Sequence, residues 1–323
     1  MAEDGYADAA RILSEAGEVA LACHVNPDAD AIGATLGLGL HLRDRGAAVV
    51  ASWGNEPFVR PRFLEVLPGG ELIVEPKRFP KEPAVLVTLD TASPERLGGL
   101  SGVLAKAGTV ICIDHHVTNP GFGSINIVEP TLSSTAEAVY RLLQRIGGPL
   151  SADTAACLYT GIVTDTGRFQ YGSATPDTLR IATDLRATGF DHVRLGQALY
   201  EDGSLAALQV LGVALGRVAF EPRASLVWTY VTHSDLAEAG AEAPDTDDLI
   251  DVVRTAREAD VAAIVKQQRD GRFKVSLRSR GDHDVGSVAA GFGGGGHRLA
   301  AGYISKAGPE ETIAQLVGAL RPA

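Results

Sequence analysis

The sequence predicts an α/β protein: an N-terminal doubly wound, mainly parallel sheet, then a smaller C-terminal α/β domain with a mixed sheet. Three observations predict it. Over the first 170 residues, short β-branched apolar runs alternate with helical patterns, which suits parallel strands covered on both faces. From Arg217 the pattern changes to strands that bracket one helix and turn back as a hairpin. The length of 323 residues, at roughly 100–200 per domain, is enough for two cores.

The elements follow in order. Glu18–Cys23 reads as a buried strand, Ala31–Arg45 as a helix ended by Gly46, and Ala47–Trp53 as a second strand. Glu71–Val74 is a weak third strand; Ala84–Asp90, Thr109–Asp114 and the short Ile125–Val128 complete the sheet. Ser134-x-x-Glu137 is a capping box that opens a helix through Ile146. Ser151–Thr166 is a helix rich in small residues, hence closely packed, and Pro176 to about Gly216 is helical. Strands at Ala224–Val231, Val261–Gln268 and Arg272–Ser279 surround a helix at Thr246–Glu258, with a hairpin turn at Asp270-Gly271. Val285–Phe292, a glycine tract and a helix near Glu310–Leu320 close the chain. The expected domains are 1–185 and 217–323, joined by a helical connector at 186–216.

Composition narrows the function. Hydrophobic residues are 45% and charged residues 21%, a globular balance. Lys plus Arg is 29 against 40 Asp plus Glu, a formal net charge of −11, which argues against a surface built for duplex DNA. Cys23, Cys112 and Cys157 form no CxxC pair and lie in apolar or small-residue runs. They are expected to be buried thiols in a reducing compartment. Met1–Arg11 lacks a signal-peptide pattern, and no run of about 20 apolar residues exists, so the expected location is cytoplasmic and no membrane contact is expected.

The chemistry gathers where strands end. His24-Val25-Asn26-Pro27-Asp28-Ala29-Asp30 follows the first strand, Asp90 ends the fourth, Asp114-His115-His116 ends the fifth, and Asp165 ends the Ser151 helix. In parallel α/β sheets, ligands bind at the carboxyl ends of strands. One aspartate after a strand is most often a helix cap. Several carboxylates converging with imidazoles on one edge would repel each other without a cation. Asp28 and Asp30, two apart, project to one side of an extended loop, with His24 on that side. Oxygen-rich donors with imidazole and no thiolate suit Mn²⁺ or Mg²⁺. Asp90, lying between two clusters, can bridge two ions, an arrangement suited to phosphoryl hydrolysis.

These residues resemble the DHH phosphoesterase superfamily. The motifs are H-x-N-P-D-x-D at His24–Asp30, the isolated Asp90, D-H-H-x-T-N-x-x-F-G at Asp114–Gly123, and T-D-T-G at Thr164–Gly167. F-G-G-G-G-H at Phe292–His297, followed by Ala300-Ala301-Gly302, resembles the DHHA1 domain. Size and layout are similar to the NrnA-type oligoribonuclease and pAp phosphatase group, which includes enzymes acting on cyclic di-AMP and pApA. The departures are Ala29 and Ala34, where the family commonly has Gly and Ser.

The resemblance implies the following roles. His24 and Asp28 bind one Mn²⁺; Asp30, His115 and Asp165 bind the other; Asp90 bridges. Mg²⁺ or Co²⁺ are substitutes. His116 faces the scissile phosphate, and Asp114 orients the histidines. Arg278, Ser279, Gly294, Gly295, Gly296 and His297 hold a substrate phosphate or terminal nucleotide. Residues 261–306, with eight Lys or Arg against three Asp, form a basic segment in an acidic chain. The implied activity is two-metal hydrolysis of short nucleotides (nanoRNA, pApA, pAp or cyclic di-AMP) to 5′-mononucleotides, by a homodimer. The rivals are an inorganic pyrophosphatase, a single-strand exonuclease, and a non-catalytic nucleotide-binding module.

Overall fold

The computed structural model describes residues 2–320; Met1 and residues 321–323, within the expected domain ranges, lie outside them. It divides into two compact units, Met1–Glu201 and Asp202–Ala323.

The first unit contains α1 (Ala2–Glu15), β1 (Glu18–Cys23), α2 (Ala29–Asp44), β2 (Ala48–Trp53), β3 (Val85–Leu89), β4 (Thr109–Asp114), β5 (Ile125–Val128), α3 (Thr135–Ile146), α4 (Ala152–Asp165), α5 (Pro176–Arg186) and α6 (His192–Tyr200). The five strands form one sheet in the order β2-β1-β3-β4-β5, parallel throughout. The period of two in the strands divides the core. Val19, Leu21, Cys23, Val87, Leu89, Ile111 and Ile113 pack with α1 to α4 on one face. Ala20, Ala22, Leu86 and Val110 pack with Leu97 and Leu100 on the other, where the cover is a kinked 3₁₀ segment, Pro94–Lys106. Both faces are covered, as a parallel sheet requires. Chain order reverses between β1 and β3, and that switch point opens a crevice at the strands' carboxyl ends.

Helix α2 is buried from Asp30 through Leu42, so it lies inside the fold. It meets α4 at unusually close range: a Cβ on Gly33 would stand 2.5 Å from the Cys157 carbonyl oxygen. The expected strand at Glu71–Val74 is not formed. Gly70–Leu72 is a 3₁₀ turn, entered through Gly69 at φ +85°, and Ile73 alone bridges to Ala51; the glycine pair turns the chain before a ladder can extend. Cys23, Cys112 and Cys157 are buried and unpaired, and burial pushes all three thiols up, Cys112 to about 11.

The second unit contains α7 (Leu205–Gly216), β6 (Ala219–Glu221), β7 (Leu226–Val231), α8 (His233–Ala239), α9 (Leu249–Val253), β8 (Val261–Gln267), β9 (Phe273–Ser279), α10 (Val285–Gly291), β10 (Gly295–His297), β11 (Ala300–Ser305) and α11 (Pro309–Leu320). Its mixed sheet runs β10-β11-β9-β8-β7-β6, with β7 and β8 parallel and the other pairs antiparallel. One face packs with α10 and α11, the other with α7 and α9. The hairpin turns at Gly271, φ +81°. The helix expected over Thr246–Glu258 is reduced to α9 after a 3₁₀ turn at Ala243–Thr246. Pro244 and three nearby aspartates (Asp245, Asp247, Asp248) favour turns over helix. Strand β10 and the Ala-Ala-Gly start of β11 escape a sequence reading because Gly and Ala carry no β-branched signal. Among the described residues, no helix is long and apolar enough to cross a membrane.

A bidentate pair ties the start of this unit together: Arg217 Nη1 and Nη2 donate to Asp235 at 2.6 and 2.7 Å. Asp235 also accepts from the backbone N–H and Oγ1 of Thr232 at 2.7 and 2.8 Å. Arg217, with the Thr232 donors, holds the carboxyl down at about 2.

Two outcomes are expected. Gly33→Ala forces α2 and α4 apart and destabilises by about 1–3 kcal/mol, read as a lower Tm. Asp235 has its folded pKa below the ordinary carboxylate value, so its stabilisation is present above that value and fades as pH falls toward 2. Asp235→Asn should cost about 1–2 kcal/mol at neutral pH, after allowance for solvent screening. It should also flatten the acid limb of urea-unfolding stability between about pH 4 and 2.

Candidate metal centre

Neighbouring strand ends bring the acidic and imidazole residues together. His24 follows the last residue of β1, Cys23; the chain then turns through Asn26, φ +54°, to Asp28. Asp28 is the N-cap of α2, accepting from the Ala31 N–H at 3.0 Å. β3 runs into Asp90, a left-handed residue at φ +53° whose N–H donates to the Ile113 carbonyl at 3.0 Å. β4 ends at Asp114, followed by His115 and His116; α4 ends at Asp165. Left-handed non-glycine backbone costs of order 1–3 kcal/mol, so the fold spends stability to aim Asp90.

One expectation is corrected. Asp28 and Asp30 do not share a side of an extended loop: α2 starts at Ala29, so Asp30 is in the first helical turn. The Asp28 cap nucleates the helix there. Asp30, 1% exposed, instead accepts from the N–H groups of Thr135 at 2.7 Å and Ala136 at 2.9 Å. A methyl on Gly161 of α4 would sit 2.4 Å from its Oδ1, so glycine there makes room for the carboxylate.

Three groups have donor atoms mutually within 4.8 Å: His24, Asp28 and Asp90; Asp30, His115 and Asp165; and Asp90, His115 and His116. His24 Nε2 is 3.5 Å from both Asp28 Oδ2 and Asp90 Oδ2. His115 Nε2 is 3.6 Å from Asp90 Oδ1 and 3.3 Å from Asp165 Oδ2. The two Asp90 oxygens therefore face different groups. His24 Nδ1 lies 2.9 Å from the Val25 carbonyl, which turns the Nε2 edge of the ring toward the carboxylates.

The electrostatics favour a cation. Desolvation and the charges of Asp90, Asp165 and Asp28 push the Asp30 carboxyl well up; desolvation with Asp90 and Asp28 does the same to Asp165. Desolvation works against the His24 cation, yet Asp28 and Asp90 outweigh it and raise the imidazole to about 10. Burial opposes charge on His116 too, and is outweighed by Asp114 and Asp90. Carboxylates driven toward protonation beside imidazoles driven toward charge mark a site short of positive charge. The donors are carboxylate oxygens and imidazole nitrogens with no thiolate, a set that fits hard divalent ions.

Asp114 is fully buried and acts on His116. Its Oδ1 is 2.7 Å from His116 Nδ1 and accepts from the His115 backbone N–H at 2.9 Å; its Oδ2 accepts from Asn119 Nδ2 at 2.6 Å. Asn119 also donates to the Thr91 carbonyl at 3.0 Å. His116 is thus held by the same chain that ends β3 and β4.

In the second unit, antiparallel register puts His297, Ala300 and Arg278 opposite one another on adjacent strands, hence on one sheet face. Ser279 is on the other face, 2% exposed; its hydroxyl donates to Asp260 Oδ2 at 3.1 Å and accepts from the Gly281 N–H at 3.0 Å. That sets it apart from Arg278 and His297. A Cβ on Gly294 would lie 2.2 Å from the Gly302 carbonyl oxygen, and one on Gly296, at φ +145°, would lie 2.5 Å from that of Ala300. Those two glycines are required by the β10–β11 pairing itself, whereas a Cβ on Gly295 would meet nothing within 4 Å.

Sequence reasoning passed over three neighbours. Thr135 Oγ1 donates to Asp90 Oδ1 at 2.8 Å. Arg96 Nη2 lies 3.1 Å from His24 Nδ1. Asn119 holds Asp114. Thr135 sits beside Ser134, whose capping signal accounted for the segment; Arg96, in the 3₁₀ segment Pro94–Lys106, carries no pattern.

Comparison with known proteins agrees with this architecture. The DHH family N-terminal domain matches residues 18–162 and the DHHA1 domain residues 225–321. The bifunctional oligoribonuclease and PAP phosphatase NrnA of Thermus thermophilus is 36% identical, over 94% of this chain and 90% of its own. The cyclic-di-AMP phosphodiesterase GdpP of Geobacillus thermodenitrificans is 30% identical over 88% of this chain, which spans 44% of that longer protein. The crystal structure of an exopolyphosphatase-related protein from Bacteroides fragilis superposes with a TM-score of 0.92 at 28% identity, covering 98% of this chain and 96% of that one. Family domains in sequence, near-full-length identity and a shared fold agree: the chain belongs to the DHH family and is a hydrolytic enzyme of its DHH–DHHA1 branch.

Proposed function

We propose that the protein is a Mn²⁺-dependent phosphoesterase that hydrolyses short oligoribonucleotides, pApA and pAp to 5′-mononucleotides. The observation that carries this reading is the Asp90 carboxylate standing between two donor groups, His24 with Asp28 and Asp30 with His115 and Asp165. The relative from Thermus thermophilus, named for oligoribonuclease and PAP phosphatase activity, supports the substrate class. The relative named for cyclic di-AMP keeps the cyclic dinucleotide as a second substrate to test.

In this reading His24 and Asp28 hold one divalent ion, Asp30, His115 and Asp165 the second, and Asp90 serves both. Bound there, two ions supply Lewis acidity toward the phosphoryl oxygens and acidify a water. The chain's own residues do the rest. Asp114 fixes the His116 ring, and His116 contacts the phosphoryl group as it becomes more negative, where a pre-oriented donor is worth most. Arg278 and His297, on one sheet face with the small Ala300 between them, bind a substrate phosphate. Neighbouring strands are about 4.8 Å apart, so roughly 10 Å separates their backbones, which leaves space for that group. Ser279 supports the fold of this segment through Asp260.

Purified protein with Mn²⁺ is expected to convert pAp to AMP, and pApA and ribo-oligomers of up to roughly five nucleotides to mononucleotides. Asp90→Asn is expected to lower turnover by roughly three orders of magnitude, equivalent to about 4 kcal/mol of transition-state stabilisation, with the circular-dichroism spectrum unchanged. Failure to hydrolyse any of these or cyclic di-AMP, or near-normal turnover by Asp90→Asn, overturns the proposal.

A further inference from the structure

The N-terminus of α3 touches both donor groups through a single residue. Thr135 is fully buried. Its backbone N–H donates to Asp30 Oδ2 at 2.7 Å, and its Oγ1 donates to Asp90 Oδ1 at 2.8 Å. Asp30 belongs to the group with His115 and Asp165; Asp90 completes the one with His24 and Asp28. The Ala136 N–H takes the other Asp30 oxygen at 2.9 Å, so Asp30 is gripped by two amides while Asp90 is aimed by one hydroxyl.

The segment carrying Thr135 is itself clamped. Glu137, 1% exposed, does not return to its N-cap residue as the capping-box pattern suggested. Ser134 Oγ accepts from the Glu137 N–H at 3.1 Å, but the Glu137 carboxylate is spent elsewhere. Its Oε2 accepts from Ser133 Oγ at 2.6 Å and Thr178 Oγ1 at 2.9 Å, and its Oε1 from Arg141 Nη2 at 2.8 Å. One buried carboxylate thus ties the turn before α3 to the first turn of α5. A buried carboxylate so fully hydrogen-bonded resists rearrangement, because breaking any one partner leaves part of its hydrogen-bonding capacity unsatisfied.

We propose that Thr135 is a positioning residue that sets the spacing and orientation of Asp30 relative to Asp90, with Glu137 as the latch that keeps Thr135 in register. This rests on the two-ion reading above. Carboxylate ligands are tuned by the hydrogen bonds behind them, and loss of such a partner typically costs 10–100-fold in metal affinity or activity. A hydroxyl on Asp90 Oδ1 limits that oxygen to one direction of approach, and the amide of the same residue holds Asp30 at a fixed distance from it. Thr135 therefore couples two sites that a pair of ions must occupy together.

The test compares wild type, Thr135→Val, Thr135→Ser and Glu137→Gln as full-length protein. Mn²⁺ uptake is read by calorimetry, the spin-coupled Mn²⁺ pair by electron paramagnetic resonance without substrate, kcat and KM with pAp, and folding by thermal melt. Thr135→Val keeps the amide and removes the hydroxyl. It should weaken the second Mn²⁺ by roughly tenfold or more, alter the coupled signal, and lower kcat by roughly tenfold with KM nearly unchanged. Thr135→Ser should restore all three, and Glu137→Gln should shift them in the same direction as Thr135→Val. If Thr135→Val does not fold, Thr135→Ala carries the same readouts. A wild-type pair signal that the valine or alanine variant leaves intact overturns this inference alone. Absence of any Mn²⁺ pair in the wild type overturns the two-ion reading and this inference together.

Discussion

The structure of the first unit is organised around one electrostatic conflict. Asp28, Asp30, Asp90 and Asp165 converge on the carboxyl edge of a sheet whose interior is aliphatic, and three imidazoles alone do not neutralise them. Burial and the neighbouring carboxylates raise the proton affinity of Asp30 and Asp165, while His24 holds Asp28 down. The protein meets this with directed dipoles: two α3 amides on Asp30, an N-cap bond on Asp28, a hydroxyl on Asp90. These hydrogen bonds hold the anions in place without cancelling their charge. What they leave is a field poised for divalent cations, and the choice of cation follows from oxygen and imidazole donors with no sulfur.

The sheet explains why the conflict can exist. Reversal of chain order at β1 and β3 puts His24 and Asp90 on adjacent strand ends, and β4 adds the Asp114–His116 run beside them. The close α2–α4 contact then brings Asp165 toward Asp30. Glycine is needed at positions 33 and 161 for different reasons: one lets two helices approach, the other vacates the volume that a carboxylate occupies. Packing and charge placement are therefore one problem in this unit, since the helix that carries Asp30 is positioned by the helix that ends in Asp165.

Much of this was legible from residue order. Continuous apolar, β-branched-rich runs such as Val85–Leu89 announce strands buried on both faces, and Asp90 just past the end stands out because nothing within that run is charged. The same reasoning failed where signals are made of small residues or depend on partners distant in sequence. β10 and the start of β11 are built largely from glycine and alanine, and Glu71–Val74 has strand-like residues but follows two glycines that turn it. Thr135 could not be found from spacing, because its partners lie 105 and 45 residues away in the chain. Glu137 matched a local capping motif and satisfied a long-range need instead; a motif records which residues are available, and the tertiary fold decides what they bond. Arg278 and Ser279 are adjacent in sequence yet face opposite sides of β9, a separation that the alternation of strand side chains enforces.

The backbone at Asp90 has a consequence for how this protein can change. A β-strand ending in a left-handed aspartate is conformationally costly, and the cost is met only because the carboxylate is needed where it points. Glycine at that position would relax the chain, and asparagine would tolerate it. On the proposed two-ion reading, the cheapest route to a sturdier molecule at this position thus passes through an inactive one. Selection for durability alone would erode the centre from its middle outward, and selection for turnover must keep holding the strain in place.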